Sequence, residues 1–208
     1  SASLVGSEMC IRDSYDIDPD LAEEPSTRMQ EFEALVTRTH EVGLKVVLDF
    51  VPNHVARQYH SDTAPEGVDD LGAHDNKEMH FSPSNNFYYI PRQAFTPQFY
   101  IGEGEERYFE YPAKATGNDC FGAFPGEYDW YETVKLNYGV DYTGGGRCHF
   151  DPIPDTWYKM LDILLFWCGK GADAFRCDMA HMVPVEFWNW AISKVKENYP
   201  SVIFIAEI

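Results

Sequence analysis

The chain reads as an α/β fold built on a parallel sheet, and three observations lead there. Three apolar runs of strand length, ending at Asp49, Asp178 and Glu207, alternate with segments of helical periodicity, the pattern of βαβ units. The runs are continuously apolar and do not alternate, as expected of parallel strands covered on both faces. Asp178 and Glu207 are separated by about the 31 residues per unit of a 250-residue eightfold barrel. A doubly wound sheet has similar spacing, so periodicity favours the barrel only mildly. No Gly-rich phosphate loop supports the nucleotide-binding alternative: "GEGEE" (102–106) and "TGGGR" (143–147) sit in a loop-rich segment and read as turns.

In order along the chain, Met29, Phe32, Leu35, Val36 and Thr39 recur at three- and four-residue steps, predicting a helix over 27–41 with Gly43 at its stop. "LKVVLDFVPNH" (44–54) follows as a strand that ends in polar residues. The segment 55–153 is rich in Tyr, Phe, Gly, Pro and Asn, and is too long for a simple connection, so it reads as an inserted subdomain. "DTWYKMLDILLFWCGKG" (155–171) is a helix with Asp155 as N-cap, and "ADAFRC" (172–177) a strand. "PVEFWNWAISKVKENY" (184–199) is a helix opened by Pro184, and "SVIFIAEI" (201–208) the last strand. The expected divisions are a junction segment 1–14, partial barrel 15–54, insertion 55–153 and partial barrel 154–208.

The 208 residues are 44% hydrophobic and 15% aromatic, ordinary globular material. A net charge of −18 with no Lys/Arg cluster argues against nucleic acid and anionic membrane surfaces as partners, and favours a neutral or cationic ligand. No apolar run approaches the roughly 20 residues that span a bilayer, and no signal-peptide pattern opens the chain; the compartment stays open. Cys10, Cys120, Cys148, Cys168 and Cys177 show no metal-like spacing; Cys120 and Cys148 lie in one loop-rich region where a bridge is conceivable, but free thiols are the expectation.

Each predicted strand carries an acid at its carboxyl end, where parallel α/β folds build their sites. Two carboxylates on neighbouring strands are the equipment for glycoside hydrolysis, one ionised to attack and one protonated to donate to the leaving oxygen. Arg176 is expected to hold Asp178 ionised, while the apolar flanks Ala206 and Ile208 raise Glu207. The alternative is an Arg–carboxylate salt bridge that only fixes a barrel layer.

These residues carry a resemblance. "LDFVPNH" (48–54), "GADAFRCD" (171–178) and "FIAEI" (204–208) resemble, in order, the first three signatures of glycoside hydrolase family 13, the α-amylase family. The resemblance implies a fragment of a (β/α)8 TIM barrel, about strands 3 to 5, with domain B inserted after strand 3. It implies that Asp178 is the nucleophile, Glu207 the general acid and base, Arg176 the residue orienting Asp178, and His54 a sugar contact at the cleavage subsite. Asp49 is then structural, and Asn53 a calcium ligand. Retention of configuration follows, with the two carboxyl groups about 5 to 5.5 Å apart.

Two positions depart from the pattern. "VKLN" (134–137) resembles the fifth signature, but Lys135 stands where many members have an acidic calcium ligand. His181 and Met182 follow Asp178 where many α-amylases have Lys-His, so His181 is a substrate-contact candidate in altered leaving-group subsites. Aromatic faces in "NNFYYIPRQAF" and "EYDWYETVKLN" suit pyranose rings, although most are expected to be subdomain core. The family's third catalytic aspartate follows its seventh strand, beyond residue 208. The expected activity is hydrolysis of α-1,4-glucosidic bonds in starch, glycogen or malto-oligosaccharides; a glucanotransferase, an α-glucosidase and a non-catalytic glycan-binding relative are the alternatives. A chain of three barrel strands is expected to be inactive alone.

Overall fold

The computed structural model describes residues 12–98 and 108–208; the "GEGEE" turn and nearly all of the expected junction segment lie outside the described residues. Along the chain come α1 (Arg28–Glu41), β1 (Val47–Phe50), β2 (His54–Ala56), β3 (Tyr89–Ile90), β4 (Ala113–Lys114), β5 (Thr133–Lys135), β6 (Val140–Asp141), β7 (Arg147–Cys148), α2 (Asp155–Gly169), β8 (Ala174–Cys177), α3 (Val185–Asn198) and β9 (Ile203–Ala206). They fall into two compact units. One holds Asp13–Pro52, His60–Asp70 and Trp157–Ile208; the other holds Asn53–Tyr59 and Leu71–Thr156. Residues 60–70, read from sequence as part of the insertion, group with the first unit, where Ser61 Oγ donates to Asp13 Oδ1 at 2.7 Å.

In the first unit β1, β8 and β9 form a parallel sheet in the order β1-β8-β9, with Val47 opposite Ala174 and Ala174 opposite Ile203. Side chains alternate across the pleat. Phe50, Phe175, Cys177 and Phe204 share one face, where Phe175 packs against the Phe50 and Phe204 rings and Phe50 against Trp188 of α3. α3 presents Phe187, Ala191 and Val195 to the interior, a four-residue repeat that makes one buried stripe. The other sheet face carries Val47, Asp49, Arg176, Ile203 and Ile205. Val47, Ile203 and Ile205 are 50%, 60% and 48% exposed, so the expected cover on both faces is not present among the described residues. An apolar run reports that a strand belongs in a parallel sheet, but the elements that cover it are set elsewhere in the fold.

α1 begins and ends close to where its periodicity predicts, and Gly43 adopts φ +77 just beyond it. Gly171, expected as the stop of α2, turns the chain at φ +98; a Cβ there would meet Val36 Cγ1 of α1 at 2.7 Å. Asp173 ties the same corner, accepting from Val46 N–H at 2.8 Å and Lys45 Nζ at 2.9 Å, with His40 Nε2 at 2.7 Å.

The second unit is made of short antiparallel pairs, β2 with β5, β3 with β4 and β6 with β7, held together by aromatic packing. Tyr88 is 1% exposed, donates its hydroxyl to Val140 O at 2.7 Å and packs against Phe81, Phe121 and Tyr142. A second cluster gathers Ile90, Phe95, Ala113 and Ala123. Arg57 is buried beside it, pairing with Glu110 at 2.7 Å and stacking on Phe95. Cys120, Cys148, Cys168 and Cys177 are free thiols. No helix among the described residues is long and apolar enough to cross a membrane.

Candidate active site

Backbone registration assembles the site in the barrel unit. Asp49 lies opposite Arg176 across β1 and β8, and Cys177 lies opposite Ala206 across β8 and β9, so Asp178 and Glu207 emerge at the same level one residue later. The ladder runs on to that level: Asp178 N–H donates to Phe50 O at 2.9 Å, and Glu207 N–H to Cys177 O at 3.0 Å. The carboxyl ends of adjacent parallel strands thereby bring Asp49, Arg176, Asp178 and Glu207 together.

Arg176 is the hub. Its Nη1 stands 3.3 Å from both Asp49 Oδ2 and Asp178 Oδ1, and its Nη2 stands 2.5 Å from Glu207 Oε1. Partial burial disfavours the guanidinium charge, but the three carboxylates outweigh it and raise its pKa. Asp49 is a second anchor for Arg176.

The two catalytic candidates differ in burial. The Asp178 side chain is 2% exposed and that of Glu207 43% exposed. Burial, reinforced by the Glu207 carboxylate, pushes Asp178 up to about 6. Glu207 is held below its ordinary value, first by its hydrogen bond with Asp178, then by Met179 N–H and Arg176. This reverses the expectation that Arg176 keeps Asp178 ionised and that apolar flanks raise Glu207. The reason is tertiary: the strand end buries Asp178, whereas Glu207 leans outward onto Arg176. Asp178 Oδ2 is buried and has no hydrogen-bond partner among the described residues, which adds to the cost of ionising this carboxyl. Arg176 draws both carboxylates onto one guanidinium.

Met179, which no sequence signal singles out, completes the site. It adopts the left-handed region at φ 47, ψ 40, and its N–H points at Glu207 Oε2 at 3.4 Å, while Ala180 N–H donates to Glu207 O at 3.0 Å. His181 lies on the following 3-10 turn, Ala180–Met182, and its side chain is exposed.

His54 and Asn53 belong to the other compact unit. His54 is fully buried, its ring 5.4 Å from that of Trp130. Asn53 Nδ2 donates to Gly117 O at 2.8 Å, and its Oδ1 accepts from Lys135 Nζ at 2.9 Å. Lys135 also pairs with Asp119 Oδ1 at 2.6 Å; burial lowers its pKa and Asp119 opposes that shift. Calcium takes six to eight oxygen ligands. Here the Asn53 oxygen is already bonded to an ammonium, and among the described residues no group of three or more His, Cys, Asp or Glu side chains could hold a metal ion. These residues do not fit a calcium ion. Of the aromatic candidates, Phe87, Tyr88, Tyr89 and Phe95 are core, whereas Tyr128 is 90% exposed.

The family model "Alpha amylase, catalytic domain" matches residues 11–138, more than half of the chain. The chain belongs to the α-amylase family. That family is a group of glycoside hydrolases and transferases. Among its curated relatives, an α-1,4-glucan:maltose-1-phosphate maltosyltransferase of Corynebacterium pseudotuberculosis (strain 1002) is 49% identical over 184 residues, covering 86% of this chain and 18% of that protein. One of Cereibacter sphaeroides is 46% identical over 89 residues, 40% of this chain and 15% of that protein. The chain spans less than a fifth of either relative's length. Among solved structures, an α-amylase from Lactobacillus plantarum aligns over 95% of this chain and 32% of its own (TM-score 0.53, 23% identity), and a maltogenic amylase from S. marinus over 96% and 26% (TM-score 0.56, 21% identity). These likenesses give the fold: the three-stranded sheet is a stretch of the amylase TIM barrel, strands 3 to 5, with the insertion after the first of them.

Proposed function

We propose that this chain carries the nucleophile and the acid/base of a retaining α-glucan-active enzyme that transfers a maltosyl unit from maltose 1-phosphate to the end of an α-1,4-glucan. The observation that carries the reading is the placing of two carboxylates on adjacent strand ends under one arginine, the equipment for a double displacement. The choice of transfer over hydrolysis is supported by the 49% identity with a maltosyltransferase over 86% of the chain.

In this reading the Asp178 carboxylate attacks the anomeric carbon, forming a glycosyl ester, as the bond to phosphate breaks and Glu207 gives its proton to the departing oxygen. A glucan hydroxyl then attacks the ester, Glu207 takes the hydroxyl proton, and Asp178 leaves as carboxylate. In the substrate complex the proton must sit on Glu207, and Arg176 neutralises the ionised Asp178. Hydrolysis of a glucan would run the same two displacements with a glucosidic oxygen leaving in place of phosphate and water resolving the ester.

The test uses the full-length protein containing this chain, with maltose 1-phosphate and a malto-oligosaccharide acceptor. Release of inorganic phosphate with products lengthened by two glucose units supports transfer. Shorter oligosaccharides alone, from acceptor without donor, would point to a hydrolase instead.

A further inference from the structure

The insertion contains a buried cation of its own. Lys135 on β5 is 2% exposed, and its ammonium reaches Asn53 Oδ1 at 2.9 Å and Asp119 Oδ1 at 2.6 Å, with the Tyr142 ring 5.3 Å away. Three stretches of chain meet there. Asn53 precedes β2, whose His54 lies opposite Lys135 in the β2–β5 pair, and Asp119 sits on a turn at φ 68 closed by its N–H to Thr116 O.

We propose that the Lys135 ammonium is the resident cation of the insertion, held by its own side chain between Asn53 and Asp119 where the family resemblance places calcium, so that this unit folds and orients His54 without a divalent metal. A buried ammonium is tolerated only when paired and hydrogen-bonded, and both conditions are met. With Oδ1 held by Lys135, Asn53 points its Nδ2 at Gly117 O, 2.8 Å away, and at His54 Nδ1, 3.3 Å away. Gly117 packs so closely that a Cβ would come within 2.9 Å of His54 Cβ. The lysine therefore sets the amide, and the amide and the turn set the histidine. A tethered ammonium is neither removed by chelators nor lost at low calcium.

The inference does not depend on the reaction proposed above, and it is read by metal content and thermal stability. The full chain is dialysed against EDTA, its calcium is measured by elemental analysis, and it is melted with and without calcium chloride. Substoichiometric calcium and a Tm unmoved by either treatment are expected. Stoichiometric calcium, or a Tm that falls in EDTA and recovers in calcium chloride, overturns the proposal. Lys135→Ala is expected to lose about 10 °C, the scale of breaking a buried ion pair. Propylammonium chloride, but not an equal concentration of sodium chloride, is expected to return part of that loss by refilling the vacated volume with an ammonium. Recovery of Lys135→Ala in calcium chloride alone would identify the position as a metal site and refute the assignment.

Discussion

Arg176 Nη2 lies 2.5 Å from Glu207 Oε1, closer than either distance from Arg176 Nη1 to Asp49 or to Asp178, both 3.3 Å. The arginine therefore favours ionisation of the exposed carboxylate over that of the buried one. Proton placement in this state follows burial.

Asp178 has its pKa raised to about 6 in the fold, against the usual 3.9 or so when unfolded. The folded chain then holds more protons than the unfolded chain between about pH 4 and 6, so its stability falls as pH rises through that window. Asp178→Asn removes the titrating group. Thermal melts of both proteins at pH 4, 5, 6 and 7 should show the wild type losing stability relative to Asp178→Asn up to about pH 6 and running parallel above it. Parallel curves throughout would place the proton elsewhere.

Glu207→Gln in the full-length protein should lower turnover by about 10²- to 10⁴-fold, the usual worth of a general acid. Donors whose leaving group needs no protonation should recover much of the first step. A near-normal rate on an ordinary donor would remove Glu207 from the acid role.

Met179 pays a backbone strain of about 1–2 kcal/mol for its left-handed conformation. Met179→Gly should relieve that strain and leave stability within about 1 kcal/mol of wild type, since glycine also loses more entropy on folding. Met179→Val places a β-branched residue in the same region and should cost more than about 1–3 kcal/mol in denaturant melts. If Val were as stable as Met, the turn that aims the Met179 N–H at Glu207 would not be fixed.

Asp173 gives the opposite pH signature. Burial alone would raise it, but Val46 N–H, Lys45 and His40 together hold it at about 2. Its contribution is present above the unfolded pKa near 4 and is lost as pH falls from about 4 towards 2. Asp173→Asn should destabilise the chain by about 2 kcal/mol at pH 7 and much less at pH 2, in urea melts at both pH values.

The acid-ending strands, the helices flanking β8 and the presence of an insertion are all legible in the sequence, because apolar runs and helical periodicity record local burial. The grouping of residues 60–70 with the barrel unit is not, since it rests on contacts such as Ser61 with Asp13 that no pattern announces. Nothing in the sequence marks Asp119, and only its approach to Lys135 across 16 positions of chain makes it a cation's partner. Arg57 and Glu110 are likewise unremarkable in sequence and buried together in the fold.

By itself the sequence determined which residue types stand at the strand ends: Asp49, Arg176, Asp178 and Glu207 are placed there by the apolar runs that precede them. Only the tertiary structure decided which carboxyl is buried and raised, and that the Lys135 ammonium meets Asn53 and Asp119. Ionisation depends on how much water and which charges surround a group, and those neighbours come from segments far apart along the chain.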